Sequence, residues 1–343
     1  MAIAAELTAK LRARLGLGGA PLGNLFRATS DEAGAGTIRH ALAAGVVYFD
    51  TAPHYGSGLS EHRYGCALRD VPRDSYVLST KVGRLLRADP SAPRRQHGYV
   101  DVLPFVQRYD YSHDGTLRSL EDSLQRLGIA RLDIAYVHDI DAATHGANQP
   151  ERFREAMNGA MPALARLKAE GALAGYGVGV NDVQVCIDTL AAHDVDVILL
   201  AGRYTLADQS ALPVLLAECQ RRRVAIVAAG VFNSGILATG SHPRDGSAPY
   251  FNYAPAPEAV VARVATIESV CEEFAVPLQA AALQFPAAHP AVVNVLVGAR
   301  SVAEVDANLA HMRYPIPGEF WRMLRDRALI DPDAPIPESE RTT

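Results

Sequence analysis

A chain of 343 residues with 49% apolar and 21% charged residues has ample material for a large core, and its net charge of −5 offers no basic patch for nucleic acid or an anionic membrane. No apolar run approaches a membrane span, and Glu6, Lys10, Arg12 and Arg14 interrupt residues 1–15 so that no signal-peptide core is built. Cys66, Cys186, Cys219 and Cys271 form no CxxC pair and read as core thiols on helices, the habit of a cytoplasmic protein, and no His/Cys/Asp spacing builds a metal site.

Along the chain, short Val/Ile/Leu-rich runs alternate with helical periodicity, the order of a parallel sheet with crossover helices. Eight strands are predicted at 14–19, 46–50, 76–81, 132–138, 175–180, 197–201, 224–228 and 292–297, apolar on both faces as buried parallel strands are. The clearest helix is 117–127, where Leu117, Leu120, Leu124 and Leu127 share a face and Gly128 closes the run. Another is 257–274, with Val260, Val264, Ile267, Cys271 and Phe274 at helical spacing behind an opening proline. Insertions 83–114, 139–149 and 230–257 each follow a predicted strand and would overhang one rim of a barrel. From Asp331 the composition offers little to bury, so 331–343 is expected to be a loose tail. The fold class is therefore α/β, a (β/α)8 TIM barrel formed by one domain over 1–343.

Titratable residues recur at the ends of consecutive strands: Asp50 ends the second, Lys81 the third and His138 the fourth, with Tyr55 five positions after Asp50. Singly, these are a turn former, a loop lysine, a core histidine and a packing aromatic. Together, at the barrel end where active sites are built, they point to one site. A phenol with a pKa of about 10 is a poor base at neutral pH unless a cation lowers that value. Lys81 is the expected cation, with Asp50 as its counter-ion.

This constellation resembles the catalytic tetrad of the aldo-keto reductases, carried here as Asp50, Tyr55, Lys81 and His138, and the likeness runs from about Leu15 to Leu309. Ala20-Pro21-Leu22-Gly23-Asn24-Leu25, the loop 49–56 and Leu200-Ala201-Gly202-Arg203-Tyr204-Thr205 are most similar to the aldose 1-dehydrogenase branch, which includes D-threo-aldose (L-fucose), L-galactose and pyridoxal dehydrogenases. The resemblance implies a nicotinamide cofactor laid across the barrel mouth. Asn181 corresponds to the residue holding the carboxamide, and Tyr204 to a further contact, although Ala201 replaces the Gln usual three positions earlier. Gly230, Val231, Phe232, Asn233, Gly235 and Leu237 resemble the segment folded over the pyrophosphate. Gly298, Ala299, Arg300 and Ser301, with Glu304 and Asn308, are expected to grip the adenosine end. Arg300 and Ser301 suit a ribose 2′-phosphate, whereas Glu304 would repel it, so NAD is expected and NADP is the alternative.

The implied reaction is oxidation of the anomeric hydroxyl of an aldose such as L-fucose, D-arabinose or L-galactose to the lactone, with Tyr55 as general base and His138 orienting the oxygen. His54 and Asp139 are the expected substrate contacts, on a polar rim shared with Arg84, Asp141 and Asn233. The alternatives are pyridoxal 4-dehydrogenase, whose substrate also presents a hemiacetal, and a general NADPH-dependent carbonyl reductase. Two more come from other classes: a redox-inert cofactor-binding regulatory subunit, and an aldolase with Lys81 as Schiff-base lysine. The expected partner is a small-molecule substrate, a sugar, bound by a monomer or homodimer.

Overall fold

The structure is a computed structural model and describes residues 5–12, 15–244 and 246–337. Arg14 of the predicted first strand and residues 338–343 of the expected tail lie outside the described residues. Eight parallel strands close into a barrel: β1 Leu15–Gly18, β2 Tyr48–Asp50, β3 Val77–Val82, β4 Ile134–His138, β5 Gly175–Val180, β6 Val197–Ala201, β7 Ala225–Ala229 and β8 Val292–Gly298. Each pairs with its neighbours in chain order, and β8 closes on β1 through Leu15↔Val295 and Gly18↔Gly298. These are the eight predicted strands. The register sets Gly18 beside Asp50, Asp50 beside Ser79, Lys81 beside Tyr136 and His138 beside Gly179, so the titratable strand ends share one rim.

Alternation along the strands builds two cores. Tyr48, Val77, Ile134, Tyr136, Val197, Leu199, Val227 and Leu296 fill the barrel with Leu7 and Leu11 of a short helix, Ala5–Leu11, that the sequence reading did not assign. Asn294 Nδ2 donates to Leu11 O at 2.8 Å and fastens that helix beneath the barrel. The outward faces meet the surrounding helices through Ile38, Tyr64, Leu120, Leu164, Leu190, Val264 and Trp321. The helix expected at 117–127 runs His113–Leu127, because Ser112 accepts from Gly115 N at 3.0 Å and starts it a turn earlier, and Gly128 closes it in the left-handed region. The second expected helix is Glu258–Glu273, with Pro257 at its N-cap.

The insertions carry structure of their own. In 83–114, Arg84–Ala88 pairs antiparallel with Phe105–Tyr109, and Arg95–Gln96 with Tyr99–Val100. In 230–257, Tyr250–Phe251 pairs with Ala254–Pro255. Segment 331–337, expected to be loose, is docked: Ala334 is buried and accepts from Arg325 Nη2 at 2.8 Å, and Asp331 N donates to Gln209 Oε1 at 2.7 Å. Cys66 departs from the core reading, since it is exposed on Leu59–Leu68 while the other three free thiols are buried. Among the described residues no helix is long and apolar enough to cross a membrane.

Helix Leu59–Leu68 meets the end of His113–Leu127 at Gly65, where an added Cβ would press on the Leu127 carbonyl, its carbon 2.7 Å away. Backbone cannot move aside as a flexible side chain can. Gly65→Ala is therefore expected to cost about 1–3 kcal/mol, read as a lowered thermal midpoint; an unchanged midpoint would refute this account of the contact.

Candidate active site

Asp50 is 1% exposed, and both of its oxygens are occupied. Oδ2 lies 2.5 Å from Lys81 Nζ, and Oδ1 accepts from Ser79 Oγ at 2.7 Å. Lys81 also donates to Thr51 O at 3.0 Å. Behind Ser79 the chain continues into the barrel, Ser79 Oγ to Tyr48 Oη at 2.9 Å and Tyr48 Oη to Tyr136 Oη at 3.1 Å. Burial lifts the Asp50 carboxyl above its ordinary range, and Lys81 and Ser79 pull it back. On β5, a Cβ at Gly179 would sit 3.4 Å from Lys81 Cε and 3.3 Å from Tyr136 Cβ, so the lysine stem crosses a strand that presents no side chain there.

The turn after Asp50 brings Tyr55 over this pair. Gly56, Ser57 and Gly58 all take positive φ, and Gly56 packs on Gly23 so closely that a side chain on either would strike the other's backbone or that of Tyr55. Lys81 Nζ consequently stands 4.6 Å from the centre of the Tyr55 ring. The expected lowering of the phenol by Lys81 is not what prevails: burial, then Asp50, Tyr99, Asp139 and Tyr253, push it well above its ordinary value. His138 stands edge-on to Tyr55, ring centres 5.9 Å apart. Burial, Lys81, Arg84 and His54 hold its imidazole well below the ordinary range and hence neutral at pH 7.

Facing Tyr55 and His138 is a polar wall. Arg84 Nη2 pairs with Asp139 Oδ2 at 2.5 Å, and Arg84 Nη1 reaches His54 Nδ1 at 2.9 Å and Gln107 Oε1 at 3.2 Å. Asp139 Oδ2 is 3.5 Å from His138 Nε2. Burial raises the Asp139 carboxyl to about 6 despite the guanidinium beside it. The His54 ring meets Tyr99 at 5.2 Å and His97 at 5.5 Å, and Tyr55 stacks on Tyr99 at 6.1 Å. His54, Asp139 and Arg84 are thus brought to the tetrad, whereas Asp141 is spent capping Ala142–His145 through Thr144 N. Gln107, Tyr99 and His97 escaped the sequence reading. Phe105-Val106-Gln107-Arg108-Tyr109 does not alternate apolar with polar, so no period-2 pattern marks the strand that carries Gln107 to the wall.

Asn181 directly follows β5 at the mouth. Tyr204 is placed elsewhere: it is 1% exposed in the outer core, against Phe285 at 5.3 Å and His289 at 5.5 Å. The segment 230–237 turns through left-handed backbone at Gly230, Asn233, Ser234 and Gly235 and folds on itself, Asn233 N donating to Gly230 O and Gly235 N to Phe232 O. The Asn233 amide is committed to protein, donating to Gly202 O at 3.1 Å and accepting from Thr205 Oγ1 at 2.5 Å. Val231 and Leu237 are buried, and Phe232 packs partly against the core. Gly298 is required by Pro21, whose Cγ lies 2.5 Å from where a Cβ would stand, and Ala299 is buried. Ser301 caps the helix that follows, accepting from Glu304 N at 3.2 Å, and Glu304 Oε2 accepts from Arg300 N at 2.8 Å. Asn308 lies inward on the helix Val302–Met312. A nicotinamide dinucleotide fits these residues: the buried Arg300 Nε has no partner among the described residues, and the Cβ side of Gly235 is open space.

The Aldo/keto reductase family model matches residues 14–327. The chain belongs to the aldo-keto reductase family. It is an NAD(P)-dependent oxidoreductase acting on small molecules. It is 43% identical to a pyridoxal 4-dehydrogenase of Microbacterium luteolum and 39% identical to a D-threo-aldose 1-dehydrogenase of a Pseudomonas species, each match covering 92% of this chain and 94% of the relative. The solved holo form of an aldo-keto reductase from Bacillus halodurans shares the fold, with TM-score 0.69, 22% identity and coverage of 96% of this chain and 95% of that one.

Lys81→Met would leave Asp50 buried without its counter-ion. The expected loss is about 3–5 kcal/mol of stability, seen as an earlier denaturant midpoint, with turnover abolished. A protein as stable as the parent would show that the pair is not held as described.

Proposed function

We propose that this aldo-keto reductase oxidises the anomeric hydroxyl of an aldose of the L-fucose, D-arabinose or L-galactose kind to its lactone, with NAD⁺ as the hydride acceptor. The observation that carries the reading is the wall of Arg84, Asp139, His54 and Gln107 facing Tyr55 and His138, because it offers donors and acceptors to a ligand covered in hydroxyls. The relative named as a D-threo-aldose 1-dehydrogenase supports it.

In this mechanism Tyr55 is the general base and receives the anomeric O–H proton as C1–H leaves as hydride and C1=O forms. The Lys81 ammonium steadies the phenolate form of Tyr55 that accepts this proton, and Asp50 fixes the ammonium. Neutral His138 donates to the substrate oxygen and orients it. Bound oxidised nicotinamide supplies the hydride-accepting carbon and a positive charge that opposes the raised phenol pKa. Asn181 would hold its carboxamide, and Arg300 and Asn308 would hold the adenosine end. The Glu304 carboxylate, next to Arg300 N, favours a free ribose 2′-hydroxyl over a 2′-phosphate, which supports NAD. Three buried, unpaired thiols suit the reducing cytoplasm.

A second reading, pyridoxal in its hemiacetal form, is favoured by the aromatic slot of stacked Tyr55 and Tyr99 flanked by His54 and His97, and by the 43% identical relative.

Reduced-nicotinamide absorbance with NAD⁺ and NADP⁺ separately, against L-fucose, D-arabinose, L-galactose, D-glucose and pyridoxal, is expected to show turnover with the fucose-like sugars and NAD⁺. Turnover with pyridoxal alone would replace the first reading by the second. Tyr55→Phe is expected to lower kcat by about 10²–10⁴-fold with nicotinamide binding intact, and full turnover would remove Tyr55 as the base.

Asp139 supplies a pH test. With its carboxyl raised to about 6 in the fold against about 3.9 unfolded, the folded state binds the extra proton between those values. Its contribution to stability is present in full below about pH 4 and is lost as pH rises through about 6. If the ionised carboxylate accepts from a substrate hydroxyl, kcat/KM falls on the acid side with an apparent pKa near that value, and Asp139→Asn abolishes this limb. A variant that retains the limb would assign it to another group.

A further inference from the structure

His138 and Asp139 are neighbours in the chain, yet their side chains meet on the same side of the mouth. Successive side chains of an extended strand point to opposite faces, and β4 ends at His138. Asp139 Oδ2 nevertheless lies 3.5 Å from His138 Nε2 and pairs with Arg84. The backbone allows this by leaving the strand at once: Asp139 takes φ 46°, left-handed, while its N–H still donates to Gly179 O at 3.1 Å on β5. A residue without the freedom of glycine stays in that region only where its surroundings fix it.

Tyr111 does the fixing. The residue is wholly buried, and its hydroxyl lies 2.8 Å from His138 O and 3.1 Å from Asp139 O. Consecutive carbonyls diverge along a strand, and they converge on one hydroxyl here because of the turn at Asp139. His145 Nε2 is 2.9 Å from the same hydroxyl. Carbonyl oxygens only accept and a phenol has one hydrogen, so the hydroxyl donates to the carbonyl pair and His145 Nε2–H donates to the hydroxyl. His145 is placed by the helix Ala142–His145, which Asp141 caps, and its ring stands edge-on to Tyr109 at 4.5 Å and to Tyr111 at 5.6 Å. The Tyr111 ring in turn lies against Gly83, where an added Cβ would strike it.

We infer that Tyr111, with His145 behind it, is a positioning residue for the reaction at this site: its hydroxyl clamps the His138–Asp139 joint in the left-handed turn that aims both side chains at the substrate. The Asp139 carboxylate is thereby kept on Arg84 and the His138 imidazole beside Tyr55. The inference rests on the proposed reading of His138 and Asp139 as the groups that meet the substrate oxygens.

Two measurements on the full chain test it. The first needs no substrate and compares the thermal midpoints of the parent, Tyr111→Phe, Asp139→Gly and the double variant. Phenylalanine keeps the ring and is expected to lower the midpoint of the parent. Glycine holds a left-handed turn unaided, so the same change is expected to lower the midpoint less than about half as far in the Asp139→Gly background. Equal losses in both backgrounds would overturn the inference, because the hydroxyl would then be an ordinary buried donor. The second is steady-state turnover, well below those midpoints, of the substrate in the panel that the parent oxidises. Tyr111→Phe is expected to lower kcat/KM for that substrate about 10- to 100-fold, while calorimetric affinity for NAD⁺ and NADP⁺ changes less than about 2-fold. His145→Leu is expected to share the loss, and His145→Gln, whose amide nitrogen stands in for Nε2, to recover part of it. A merely structural tyrosine predicts a lower midpoint with kcat/KM unchanged, and that result would also overturn the inference. A panel without turnover would count against the proposed aldose, and the midpoint cycle would still decide for or against the clamp.

Discussion

The ion pair between Lys81 and Asp50 is the constraint around which the barrel mouth is arranged. Two charges removed from water are costly, and their attraction offsets that cost only when the remaining donors and acceptors are also met. Here Ser79, the Thr51 carbonyl and the Tyr48–Tyr136 hydroxyl chain complete the set. That completeness depends on closure, because Asp50 and Lys81 meet only where β2 and β3 run parallel in the observed register. The opposite face of β3 is tied down as well: Thr80 donates to Glu61, which is wholly buried and paired with Arg126. The strand delivering the cation is thus held from inside and outside.

The strands were legible because each is a short apolar run between breaks, and the tetrad because its members end consecutive strands. Other features depended on contacts that a linear reading does not contain. The hairpin at 84–109 turns on cross-strand pairing across an irregular loop, so Gln107 entered the pocket unannounced. Tyr204 sits three residues beyond its strand, yet the pull of Phe285 and His289 takes it to the outer core. Ser301 and Glu304 carry a capping signature as readable as the cofactor role given them, and the structure shows the capping. The segment from Asp331 looked too polar to dock, but Ala334 and Ile336 pack on the core and two backbone groups are hydrogen-bonded.

The polar wall has a different character from the tetrad. Arg84 is shared among Asp139, His54 and Gln107, so no member can be altered without changing the partners of the rest. Because Gln107 and Arg84 come from facing strands of the rim hairpin and Asp139 and His54 from barrel loops, the wall joins a scaffold element to an appended one. Substrate selection can therefore shift with the hairpin while the tetrad stays fixed.

The bare backbone of β5 at Gly179 extends this contrast. The stem of Lys81 occupies volume that a side chain on β5 would otherwise fill, which makes the reactive cation a packing residue too. A designer who shortens position 81 opens a hole, and one who enlarges position 179 evicts the amine. These two positions form a single volumetric unit, and a library that varies one without the other samples mainly broken barrels rather than new chemistries.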